Sequence, residues 1–195
     1  MAAGLPGAMV FSNVNGIPLA DARYEPLWEK ADALKAVIYV HPAHPLGVEA
    51  MEQYWLMPLV GFLMDTTLAA AHLVFAGVPR RYPRITWVLC HMGGAIPYLA
   101  ERLDRGYEAF EDCRRHIDRL PSSYLREFYY DTVNFDINCI ELATAFAGVD
   151  HIVAGRLPAP DGSDPKMLQS LRGLDINEQD RRRIMGENAA RILGL

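Results

Sequence analysis

The sequence is short of cysteine and short of positive charge, and each shortage excludes something. Cys90, Cys113 and Cys139 are odd in number and show no C-x-x-C spacing. They suggest neither a disulfide framework nor a cysteine-built zinc site, and a reducing cytoplasm is the expected compartment. Lys and Arg number 19 against 24 Asp and Glu, a formal charge of −5. A surface that neutralises phosphates needs the opposite balance, so nucleic acid is not an expected partner. The one basic run, Arg181-Arg182-Arg183, follows acidic residues and reads as a solvated helix face. Met1 to Gly7 lacks the basic start and long apolar core of a secretory leader. Internal repeats, low-complexity tracts and linkers are missing, so residues 1–195 are read as one domain.

Long apolar runs are scarce, with one exception, Leu56 to Val78. Asp65 and His72 interrupt it, and a central Asp costs roughly 2.5–3.5 kcal/mol on insertion scales. Pro58 and Gly61 break its start. A buried helix is expected there, and no membrane partner.

What is present is a core, 51% of the chain being apolar. Short β-forming runs alternate with helical spacing. Strands are expected over Gly7–Asn13, Ala36–Val40, Ile85–Cys90, Tyr129–Phe135 and His151–Gly155. Helices are expected over Arg23–Lys35, Leu59–Ala76, Ile96–Phe110, Pro121–Phe128, Ile140–Ala147, Pro165–Leu171 and Asn177–Leu193. Five strands alternating with helices predict an α/β fold with a parallel sheet.

Ligands of such sheets gather at the carboxyl ends of the strands. Two histidines hold matched places there: His41 after Ala36-Val-Ile-Tyr-Val40, and His91 after Thr86-Trp-Val-Leu-Cys90. One such histidine alone is more often a hydrogen-bonded loop residue. Two at adjacent strand ends can converge on one metal, or one can bind metal while the other moves protons. His44, in a proline-rich loop, and Asp136, after the fourth strand, are candidates for substrate contact; Asp136 also suits a helix N-cap. Gly93-Gly94 either admits a ligand to the backbone or makes an ordinary strand-to-helix turn.

Thr66-Thr67-Leu68-Ala69, Gly77-Val78, Arg81-Tyr82-Pro83, Cys90-His91-Met92-Gly93-Gly94 and Pro97 stand in order and at compatible spacing, with Val40-His41-Pro42 before them and Gly186-Glu-Asn-Ala-Ala-Arg191 after. This set resembles the metal-dependent amidohydrolase-related family typified by aminocarboxymuconate-semialdehyde decarboxylase. The resemblance implies a (β/α)8 barrel of which this chain is the C-terminal five-strand portion. It also implies a divalent metal, zinc or manganese, and decarboxylation or hydrolysis of a small carboxylated aromatic or unsaturated substrate. His41 would then be a metal ligand and His91 the proton-transferring catalytic residue.

Two departures stand beside the matches. The family's H-x-H at the end of its first strand is absent. Where its last strand should deliver a ligand aspartate, this chain reads Gly155-Arg-Leu157-Pro-Ala-Pro-Asp161. Leu157 cannot bind metal, and Asp161 or Asp164 would have to reach in. A one-base shift of codons for D-Y-P-H-Q-I yields Leu-Pro-Ala-Pro-Asp, so a local compensated frameshift is the expected origin, testable by genomic sequencing. With His41 as its single implied ligand, the chain is expected to hold zinc weakly. The rival expectation is a metal-free barrel remnant acting as a structural or interaction protein. Its unpaired sheet edges would favour a homo-oligomer.

Overall fold

Alternation along β-branched runs puts one side of each strand under helices and the other on an inner face. The computed structural model describes residues 4–134, 136–155 and 165–195, with side chains from 169 onward in the last segment. Strands β1 (Gly7–Phe11), β4 (Val37–His41), β5 (Thr86–Leu89), β6 (Tyr129–Asp131) and β7 (Ile152–Val153) form one sheet in that order. Every neighbouring pair in it is parallel. β2 (Asn13–Val14) and β3 (Ile17–Pro18) make a small antiparallel hairpin after β1. The crossovers carry the helices Glu25–Ala33, Phe62–Phe75, Ile96–Ala109 and Ile137–Ala147. This is part of an α/β barrel.

The pleat sorts the side chains. Ile38, Val40, Trp87, Leu89, Tyr130 and Ile152 enter the main core with the helices. Val37, Val88, Tyr129 and Val153 form a second cluster on the other face, where Ala189, Ile192 and Leu193 of the closing helix Asn188–Leu193 pack against them. Trp28, fully buried, donates its indole N–H to Leu19 O at 3.0 Å and meets Trp87 edge-on at 5.1 Å. Asp32 joins the first helix to β5, accepting from the Arg84 backbone N–H at 2.8 Å and its guanidinium at 2.6 Å.

The Met57–Phe75 segment is long and apolar enough to cross a membrane by composition alone. Here it begins as a π-turn, Met57–Gly61, and continues as the helix Phe62–Phe75, whose buried face carries Asp65, Thr66, Ala69, Ala70, Leu73 and Val74. Asp65 is a fixed interior group, accepting from Ser12 Oγ, Asn13 Nδ2 at 2.8 Å and Leu46 N at 3.2 Å. The expected closing helix is three pieces: Glu178–Arg182, capped by Asn177, then a π-segment Arg183–Glu187, then Asn188–Leu193.

The strand expected over Tyr129–Phe135 stops at Asp131, because its carboxylate captures the Val133 N–H at 3.0 Å and turns the chain. Asp131, and not Asp136, therefore stands at the carboxyl end of β6, and Asp136 takes the helix N-cap place that its sequence suits, accepting from Asn138 N at 2.8 Å.

Candidate functional site

Parallel register decides which side chains meet. Phe11 pairs with His41, and Tyr39 and Val40 with Val88 and Leu89, which brings Cys90 beside His41. Leu89 pairs with Tyr130, which brings Asp131 beside Cys90, and Asp131 pairs with Val153. Phe11, His41, Cys90, Asp131 and Val153 therefore form one row across the inner face at the carboxyl end, with His91 one residue beyond.

The two strand-end histidines are brought together, with ring centroids 5.2 Å apart. Phe62 closes over both, at 6.1 Å from His41 and 6.0 Å from His91. His41 Nδ1 lies 2.7 Å from Pro42 O. A carbonyl can only accept, so Nδ1 carries hydrogen by assignment, and Nε2 is the nitrogen left for a ligand. Burial, and then the nearby His41, depress His91 to about 4. Its imidazole is therefore neutral near pH 7.

His91 and Met92 both have left-handed backbone, φ 53 and 58, a conformation that costs L-residues about 1–3 kcal/mol each. The turn is held from several sides. Asp131 Oδ1 accepts from Met92 N at 3.2 Å, and Tyr39 OH donates to Oδ2 at 2.5 Å. Asp131 is 1% exposed. Burial pushes its carboxyl up against three donors that favour the anion, and burial likewise keeps the Tyr39 phenol protonated. Thr67 Oγ1 accepts from Ala95 N at 2.8 Å beneath the turn. Gly94 has φ 62 and ψ −120, and a Cβ there would run into Leu63 O and Thr67 Oγ1. The glycine pair is thus required by close packing in the strand-to-helix turn.

Cys90, fully buried, was absent from the sequence candidates. Its Sγ lies 3.0 Å from His91 Nδ1 and 3.3 Å from Thr66 Oγ1, and burial pushes its thiol upward. Ligating atoms of His41, Cys90 and His91 all lie within 4.8 Å of one another. Two imidazoles and a thiol gathered this closely fit a divalent ion of borderline softness. The signal that could have found Cys90 is parity, since it follows Val88 by two residues on the inner face. Asp131 could have been found by ending its strand at the first carboxylate.

The other candidates lie elsewhere. His44 is exposed on the loop after β4, and its carbonyl accepts from Asn13 Nδ2 at 3.0 Å. Asp136 is an exposed helix cap. Leu157, Asp161 and Asp164 lie outside the described residues.

A parallel β/α sheet with its donor cluster at the carboxyl ends of the strands is the construction by which β/α barrels place their active sites. The family model described as Amidohydrolase matches residues 1–195, and the chain belongs to that family. A 2-amino-3-carboxymuconate-6-semialdehyde decarboxylase of Dictyostelium discoideum is 31% identical over 98% of this chain and 54% of its own length. The crystal structure of a 5-carboxyvanillate decarboxylase from Sphingomonas paucimobilis superposes with a TM-score of 0.88 at 25% identity, covering 97% of this chain and 58% of that one. A dihydroxybenzoic acid decarboxylase from a Polaromonas species, solved with manganese and 2-nitroresorcinol, gives 0.85 at 27% identity over 98% of this chain and 61% of its own. The chain spans about half the length of the curated relatives it matches.

Proposed function

We propose that this chain carries the carboxyl-terminal part of the active site of a metal-dependent decarboxylase acting on a small carboxylated aromatic acid. The observation that carries this reading is the pair His41 and His91, delivered by adjacent strands to a shared inner face with centroids 5.2 Å apart. The names of the relatives, decarboxylases of carboxylated phenols and of a carboxymuconate, supply the substrate class. The preassembled donors favour an enzyme over a metal-free remnant.

His41 would hold the ion through Nε2, the nitrogen its Pro42 contact leaves free. A bound divalent ion supplies positive charge to the substrate's oxygens as charge develops on the ring. His91, neutral in the free site, takes a proton from a ring hydroxyl or water. It returns that proton to the ring carbon, which keeps the electron pair of the broken C–C bond as carbon dioxide leaves. Phe62 excludes water from the face it covers.

The test is carbon dioxide release from 5-carboxyvanillate and 2,6-dihydroxybenzoate by protein loaded with zinc or manganese, compared with His91→Asn. Loss of about 100-fold or more in kcat with metal content unchanged is expected, general acid–base catalysis contributing about 10²–10⁴. Full turnover by His91→Asn, or no turnover of either acid by loaded protein, would overturn the reading.

A further inference from the structure

Resting on the reading of His41 as a metal ligand, we infer that Cys90 is a second protein donor to the same ion, which makes the site select zinc-like metals over manganese. Cys90 closes β5 on the inner face beside His41, fully buried, and belongs with His41 and His91 to a cluster whose ligating atoms lie within 4.8 Å. A tetrahedral ion with bonds of about 2.0–2.3 Å needs donors about 3.3–3.6 Å apart, so the side chains close by a rotamer adjustment and not by rebuilding the sheet. His41 offers Nε2. Cys90 offers a sulfur whose other neighbours are His91 Nδ1 at 3.0 Å and Thr66 Oγ1 at 3.3 Å.

Coordination replaces the S–H bond by an S–metal bond and releases the proton to solvent. The resulting thiolate accepts the His91 Nδ1–H. That contact fixes the tautomer of His91 and leaves Nε2, pointing away from the sulfur, as the proton-moving nitrogen. A thiolate is a soft ligand, and soft ligands favour zinc and cobalt over manganese. One cysteine thus sets metal preference and orients the catalytic imidazole.

Cobalt(II) is the probe, added to the metal-stripped full chain. The wild-type protein is expected to show a thiolate-to-cobalt charge-transfer band in the near ultraviolet. Cys113→Ser/Cys139→Ser keeps the band, because those two cysteines lie outside the cluster; Cys90→Ser and Cys90→Ala lose it. Zinc affinity falls at least about 10-fold in Cys90→Ser while manganese affinity falls by less. Cobalt that binds, is lost in His41→Ala, and never gives the band would overturn the role of Cys90 and leave the His41 reading standing. Cobalt that fails to bind, or binds equally well to His41→Ala, would overturn both. The band in wild type and in the Cys113/Cys139 variant decides the matter even where a Cys90 variant folds poorly.

Discussion

Replacing Asp131 tests whether the turn carrying His91 is held from beneath. The carboxylate accepts three hydrogen bonds, from Tyr39 OH at 2.5 Å, Val133 N at 3.0 Å and Met92 N at 3.2 Å. Asp131→Ala leaves three buried donors without an acceptor. At about 1–3 kcal/mol each, less what an entering water recovers, the loss is about 3–6 kcal/mol, a large share of the ~5–15 kcal/mol that holds an ordinary domain together. Asp131→Asn is milder. Its carbonyl still serves both backbone N–H groups, but the amide now faces the Tyr39 hydroxyl, and about 1.5–3 kcal/mol is expected to go. Tyr39→Phe should lose a similar amount, and the double variant little more than either, because both delete one charge-assisted bond. Urea unfolding followed by tryptophan fluorescence measures this, with Trp28 and Trp87 buried beside the sheet. A loss below 1 kcal/mol in Asp131→Ala, or strictly additive losses in the cycle, would refute the argument.

Gly94→Ala should destabilise by about 2–5 kcal/mol, combining left-handed strain with the collision against Leu63 O and Thr67 Oγ1. Gly47→Ala, at φ 74 but in open space, should lose only about 1–2 kcal/mol; equal losses would show that packing at Gly94 is irrelevant. The Arg84 guanidinium and backbone N–H hold Asp32 below the usual carboxylate range despite burial. A depressed folded value stabilises above the unfolded value of about 3.9, and that contribution drains away as pH falls through the lower, folded value. The Tm of the wild type should therefore drop more steeply below pH 4 than that of Asp32→Asn, and parallel curves would contradict this. Zinc at 100 times its dissociation constant should raise stability by about 2.7 kcal/mol; chelation, or His41→Ala, should remove the increase in a thermal melt.

The five-strand order was legible because each run is short, β-rich and bounded by turn formers, and because helical spacing fills every gap between them. Boundaries were less legible where a side chain competes with the backbone ladder. Asp131 ends β6 by taking the Val133 N–H, an Asx-type turn to which aspartate is prone but which the β-rich run Tyr129–Phe135 around it masks. His41 and His91 stood out as polar residues ending apolar runs. Cys90 did not, because in a strand buried on both faces an apolar-looking residue betrays nothing about which face it joins. Its parity with Val88 is in the sequence, but its closeness to His41 depends on the register between β4 and β5, which the sequence of either strand alone leaves open.

That register ties the site to the fold. On the inner face, Val37, Val88, Tyr129 and Val153 are sealed by Ala189, Ile192 and Leu193, while His41, Cys90 and Asp131 occupy the row at the carboxyl end. Tyr39 spans the two zones, with its ring among the apolar cluster and its hydroxyl on Asp131. A one-residue slip of β4 would turn Ile38 and Val40 to the inner face and send His41 under the helices. It would then bury a polar imidazole in the main core and expose two of that core's branched residues. The burial energy of Ile38 and Val40, both nearly inaccessible and each contributing about 1.5–3 kcal/mol, therefore holds His41 beside Cys90 and His91. The apolar half of each strand sets the position of its one reactive residue.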